Sequence, residues 1–149
     1  MKKIRLLSIL VVICLTLSTV CGITASAAVG PLTTNWFQTT YPTKSIESTY
    51  ASNGQTVIFE GVATSPASGT FKAKLQYKNV FGSWVDDSNT VYTIQQHSNQ
   101  TYSTRLGQYV TGQYFKVYWS VNKSKDFRVL LYDPTNPQAT ALQYVYLYT

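Results

Sequence analysis

The chain has 149 residues and a formal net charge of +6, with 12 Tyr, 3 Trp and 6 Phe but one His and two Cys. That length points to one domain. A single histidine and two cysteines leave little material for a metal centre, a thiol nucleophile or a disulfide scaffold. The charge excess is mild and lacks the dense basic stripe of a nucleic-acid surface, so no nucleic-acid partner is expected.

In chain order, the first element is a leader. Met1–Arg5 (MKKIR) is basic, Leu6–Val20 is almost uninterrupted apolar sequence, and Ala25-Ser26-Ala27 places small residues where signal peptidase reads them. This is the order of a secretory signal, so residues 1–27 are expected to be removed and the protein secreted. The apolar run falls short of the roughly 20 residues that span a bilayer, and no stable membrane span is expected afterwards. Cys21 is a poor lipidation site, because a β-branched Val20 precedes it. Both cysteines, Cys14 and Cys21, leave with the leader, and the mature domain cannot form an internal disulfide. Small secreted eukaryotic domains usually rely on such bridges. A cysteine-free core of roughly 120 residues, enough to bury about two-thirds of its unfolded surface, favours a bacterial product. Loss of Lys2, Lys3 and Arg5 takes the net charge from +6 to +3.

Residues 28–43 are polar, with two prolines and one sticky spot at Trp36-Phe37, and read as an irregular arm. From residue 44 to 149 the texture is that of a single β domain: short alternating runs broken by turn residues. Gln55–Ala63 follows the turn signal Asn53-Gly54. Gly69–Lys78 alternates most cleanly, with Phe71, Ala73, Leu75 and Tyr77 on one side and Lys72, Lys74, Gln76 and Lys78 on the other. After Gly82-Ser83 come Trp84-Val85, where Tyr77 and Trp84 flank the turn and can meet across a hairpin whose register the sequence leaves open, and then a turn at Asp86-Asp87-Ser88-Asn89. Thr90–Gln96 and Thr101–Leu106 are weaker strands around a polar turn holding His97. Gly112–Val121 sets Phe115, Val117, Trp119 and Val121 against Tyr114, Lys116, Tyr118 and Ser120. Asp126–Asp133 and Ala141–Tyr148 complete the set.

These runs predict an all-β, antiparallel two-sheet sandwich of seven or eight strands, with a small β-barrel as the alternative. The rhythm resembles that of immunoglobulin-like and fibronectin-like sandwiches, without a motif that marks a family. The core is expected to include Phe71, Leu75, Phe115, Val117 and Trp119.

Catalytic groupings are missing. His97, the only histidine, reads as an exposed loop residue, and no G-x-S-x-G occurs. The six acids form no distinctive pair for glycoside chemistry. The oxygen-rich stretches at 86–89 and 133–136 lack EF-hand spacing. No enzyme activity, metal or cofactor is therefore expected.

Tyrosine is the anomaly. Tyr144, Tyr146 and Tyr148 share a strand face by spacing, and Tyr114 and Tyr118, with Lys116 between them, oppose a Phe-Val-Trp face that claims the core. Tyr suits strands for packing alone. Exposed Tyr rows also combine flat apolar rings with hydroxyl donors, which suits sugar rings and protein surfaces. The expectation is a secreted non-enzymatic binding module for an extracellular glycan, an anionic polymer or a protein surface, using Tyr114, Lys116, Tyr118, Tyr144, Tyr146 and Tyr148. The alternatives are a secreted antagonistic or membrane-active protein of toxin or bacteriocin type, and a secreted enzyme inhibitor.

Overall fold

The computed structural model describes residues 29–35, 43–135 and 140–149. The leader and Trp36-Phe37 lie outside them. The described residues form ten strands: β1 (Val29–Asn35), β2 (Thr43–Ala51), β3 (Thr56–Thr64), β4 (Gly69–Lys78), β5 (Trp84–Gln96), β6 (Gln100–Ser103), β7 (Gln108–Thr111), β8 (Gln113–Ser120), β9 (Lys125–Tyr132) and β10 (Ala141–Tyr148). The first sheet has the order β1-β10-β3-β8, the second β2-β9-β4-β5, and β6-β7 is a separate ribbon. All pairings are antiparallel. This is an open two-sheet sandwich, and the barrel alternative is wrong: each sheet ends in its own edge strands. Every step along the chain between sandwich strands changes sheet except the β4–β5 hairpin. That is the wiring of a jelly roll, whereas an immunoglobulin domain divides its strands as ABED and CFG.

The core lies between the sheets. Val57, Phe59 and Ala63 from β3, Phe115, Val117 and Trp119 from β8, and Leu142, Val145 and Leu147 from β10 meet Phe71, Ala73 and Leu75 from β4 and Phe127, Val129 and Leu131 from β9. All five expected core residues are buried. Phe115 joins the layers, its ring 5.1 Å from Phe59 beside it and 6.1 Å, edge-on, from Phe71 across the gap. Edge-to-face pairs of this kind add to simple burial.

Several expectations are corrected. The sandwich itself has eight strands among the described residues, as expected, and the β6–β7 ribbon adds two that the sequence did not set apart. The supposed irregular arm carries β1, paired with β10 from Val29↔Leu147 to Asn35↔Ala141. Asp86–Asn89 is no turn but part of β5. The register steps from Gln76↔Asp86 to Lys74↔Val91, so β5 holds extra residues there as a bulge. Asp86 stays in the ladder because its carboxylate accepts hydrogen bonds from Lys74 Nζ (2.7 Å) and Gln76 Nε2 (2.8 Å). Trp84 pairs with Lys78, and Tyr77 with Val85. This register, which the sequence leaves open, keeps Tyr77 against the core on the expected side of β4 and turns Trp84 outward, under the Arg128 guanidinium at 4.5 Å. His97 is half-buried, its Nε2 2.9 Å from Gln113 Oε1, rather than exposed.

Gly112, where the ribbon enters β8, has φ +119, and a Cβ there would lie 2.5 Å from Thr64 Cγ2 and 2.8 Å from the Ala63 carbonyl oxygen. Gly112→Ala is expected to cost about 1–3 kcal/mol through backbone strain and overpacking. A lowered thermal midpoint with an unchanged far-UV CD spectrum is the result expected. An unshifted midpoint would show that β3 and β8 part easily.

Candidate functional site

The period of two along β3, β8 and β10 decides which side chains share the outer face of the first sheet. Phe59↔Val117 and Phe59↔Leu147 point inward, so their neighbours point outward. Outward come Ile58, Glu60 and Val62 on β3; Tyr114, Lys116 and Tyr118 on β8; and Gln143, Tyr146 and Tyr148 on β10. Five of the six expected residues are thus brought onto one surface. Tyr144 departs from the row. β10 has one residue more than β3 between Gln143↔Val62 and Tyr146↔Glu60, and Tyr144 sits in that bulge at φ +50, exposed. The bulge lets both Leu142 and Val145 reach the core, at the cost of a left-handed tyrosine.

At the centre of the face lies Glu60, which is 1% exposed. The β6–β7 ribbon covers it with Arg105 from its turn. Arg105 donates to Glu60 Oε1. Tyr114 Oη donates to Oε2 at 2.9 Å, and Lys116 Nζ stands 3.5 Å from the same oxygen. The guanidinium also lies over the Tyr146 ring, 3.8 Å from its centroid, and 5.0 Å from that of Tyr148. Burial pushes the Glu60 carboxyl up, but the Tyr114 and Arg105 hydrogen bonds and the two cations outweigh it and hold the group below its ordinary value. Burial, together with the Glu60 charge, raises the Tyr114 hydroxyl. Lys116 is raised, chiefly by its hydrogen bond to Tyr148.

The network fixes what each ring can do. Tyr114 is half-buried and its hydroxyl is committed to Glu60 and Thr104. Tyr146 and Tyr148 are half-buried beneath Arg105. Tyr118 is the open ring of the face, 49% exposed, while its carbonyl oxygen accepts the Tyr92 hydroxyl at 2.6 Å. Beside Tyr114 and Lys116, between the edge strands β8 and β5, runs a groove of about 320 Å³ bordered by Thr93, Gln95 and Gln113. It offers hydroxyl and amide groups next to aromatic rings.

Sequence reasoning missed Arg105 and the weight of Glu60. A clue was present: Glu60 is the only charge in Val57–Ala63 (VIFEGVA), a run apolar on both faces. A carboxylate placed there must find a cation.

No protein-family model matches the chain, and no curated protein sequence does. Among solved structures it is similar to the CBM22-1 xylan-binding domain of Xyn10C from Paenibacillus barcinonensis, with a TM-score of 0.40 and 10% identity over 83% of this chain and 95% of that one. What the face of the present protein can hold is decided by its own side chains.

Proposed function

We propose that this is an exported, non-enzymatic binding module, bacterial in origin, that holds a glycan or another extracellular polymer on the outer face of the first sheet. The observation that carries this reading is the continuity of Tyr118, Lys116 and Tyr114 with the polar groove at Thr93, Gln95 and Gln113. Aromatic rings beside a few fixed polar groups are the elements with which proteins hold sugars: the ring stacks on the apolar face of the pyranose, and hydroxyls and amides meet its rim. Glu60 argues against catalysis on this face. A general acid needs access and a raised pKa, whereas this carboxylate is sealed, triply partnered and held ionised. Arg105 and Lys116 outnumber it, leaving one net positive charge and a bias towards anionic polymers. Export rests on the leader.

The test is affinity electrophoresis through gels containing soluble xylan, chitosan or wall teichoic acid, with pull-downs on cellulose, chitin and peptidoglycan. Retardation by at least one polymer is expected. Tyr118→Ser should weaken it roughly 2–10-fold, the value of one stacked ring, without lowering the thermal midpoint. No retention on any polymer would overturn the glycan reading. Retention that ignores the Tyr118 substitution would move the site elsewhere.

A further inference from the structure

The β4–β5 hairpin ends in a second feature that neither the core nor the tyrosine face uses. Its loop, Asn79–Ser83, puts Val80 and Phe81 in solvent, 81% and 88% exposed. These are the most exposed of the large apolar side chains among the described residues. The loop is not slack. Asn79 Oδ1 accepts hydrogen bonds from the Phe81 and Ser83 amides, both at 2.9 Å. The Asn79 amide donates to the Ser83 carbonyl (2.8 Å), the Gly82 amide to the Asn79 carbonyl (3.0 Å), and Gly82 supplies φ +80. A turn so tied down holds its two apolar residues outward before any partner arrives, which removes an ordering cost from docking.

The charge around the tip is equally specific. Lys72, Lys74, Arg105, Lys116 and Lys123 each stand within 4 Å of a carboxylate. Among the described side chains, Lys78, Lys125 and Arg128 have no carboxylate partner, and all three lie at this end of the second sheet. Lys78 immediately precedes the loop, and its side chain reaches to Gly82. Tyr77 pairs with Phe127, which brings Lys125 level with Asn79. Arg128 lies over Trp84, the first residue after the loop. Asp126 lies among them, and Asp86, two residues after Trp84, is already held by Lys74 and Gln76. The tip is therefore a convex apolar point beside three cations that form no ion pair with a described carboxylate: exposed Lys78, half-buried Lys125, and half-buried Arg128, which donates from Nε to Gln76 at 2.9 Å; an amphipathic indole lies behind it.

We infer that this tip docks on an anionic phospholipid bilayer, with Val80 and Phe81 entering the apolar boundary while Lys78, Lys125 and Arg128 meet the headgroups. A protruding point fits a fluid surface, and the cation ring matches anionic headgroups in charge; a lipid-facing apolar group flanked by Lys, Arg and Trp is the arrangement of interfacial anchors. The contact is peripheral and lies on the other sheet from the tyrosine face.

The test compares the exported protein, recovered after leader removal, with its Val80→Ser/Phe81→Ser variant recovered in the same way, on phosphatidylglycerol/phosphatidylcholine vesicles, since the basic, apolar leader would bind such vesicles by itself. Trp84 fluorescence is followed with brominated acyl chains, and Trp84→Phe identifies its share of the signal. The parent should bind, with bromine quenching of Trp84. The double variant should bind about tenfold more weakly or worse and lose that quenching, at an unchanged thermal midpoint. High salt should weaken parental binding. Equal binding by both chains overturns the inference, as does binding without quenching of Trp84. A dimer that forms without vesicles and requires Phe81, seen by light scattering, would assign the tip to a second copy and also overturn it.

Discussion

Truncating Trp119 to Ala is expected to destabilise the domain by about 3–5 kcal/mol, the range for large aromatic side chains removed from a core. The indole is 3% exposed on the inner side of β8. It meets the Tyr92 ring edge-on at 5.1 Å and donates from Nε1 to the Thr90 carbonyl at 3.2 Å. Both partners belong to β5, in the opposite sheet. The substitution therefore removes a bridge between the layers as well as buried area. Domains are commonly stable by only about 5–15 kcal/mol, so this is a large share. Urea unfolding followed by far-UV CD is the measurement. A midpoint equal to the parent's would contradict the burial of this ring.

Glu60→Gln should cost about 3 kcal/mol at neutral pH. Removing one member of a buried ion pair costs about 3–5 kcal/mol, and the low end applies because the Arg105 side chain is one-third exposed. The variant leaves Arg105 and Lys116 without their counter-charge while keeping the shape of the site. The pH dependence gives a sharper signature. The folded carboxyl lies below its ordinary value of 4.5. Its contribution is therefore complete above that value, and is lost as pH falls through the lower folded value. The parent should lose stability on acidification below about pH 4.5, and the gap between parent and variant should close in the same window. Urea midpoints at pH 7 and in that acid range read both. A gap that stays constant into acid would mean that the Glu60 charge is not what holds the ribbon.

The parts of the fold that could be read from the sequence are those where water sorts the residues. β4 and β8 alternate because one side meets the core and the other solvent, so Phe71-Ala73-Leu75 and Phe115-Val117-Trp119 reveal face and register together. β1 and β2 were not legible. They are edge strands of their sheets, and Val29–Asn35 and Thr43–Ala51 are rich in Thr and Ser rather than in an apolar alternation. The bulge in β5 was read as a turn because Asp-Asp-Ser-Asn favours turns locally, while Lys74 and Gln76 keep Asp86 in the ladder through contacts outside that local stretch. The candidate site divides similarly. The spacing of Tyr114, Lys116 and Tyr118 was sufficient to place them. The position of Tyr144 depends on Leu142 and Val145 both claiming the core, which a strict period of two conceals. Arg105 lies 45 residues from Glu60 in sequence and in the turn between β6 and β7, so only the fold joins them.

The edge of β8 has one more consequence. Thr101 Oγ1 accepts from the Tyr114 amide and donates to the Gly112 carbonyl, while Tyr92 occupies the Tyr118 carbonyl. The main-chain groups that would welcome a foreign strand are thus spoken for along much of that border. Facing it, β5 carries the Asp86–Thr90 bulge, which breaks the flat ladder a newcomer would need. A tyrosine-rich protein made almost wholly of sheet has reason to resist fibril growth. Here that resistance is supplied by two side chains and a kink, along the very border that also frames the polar groove.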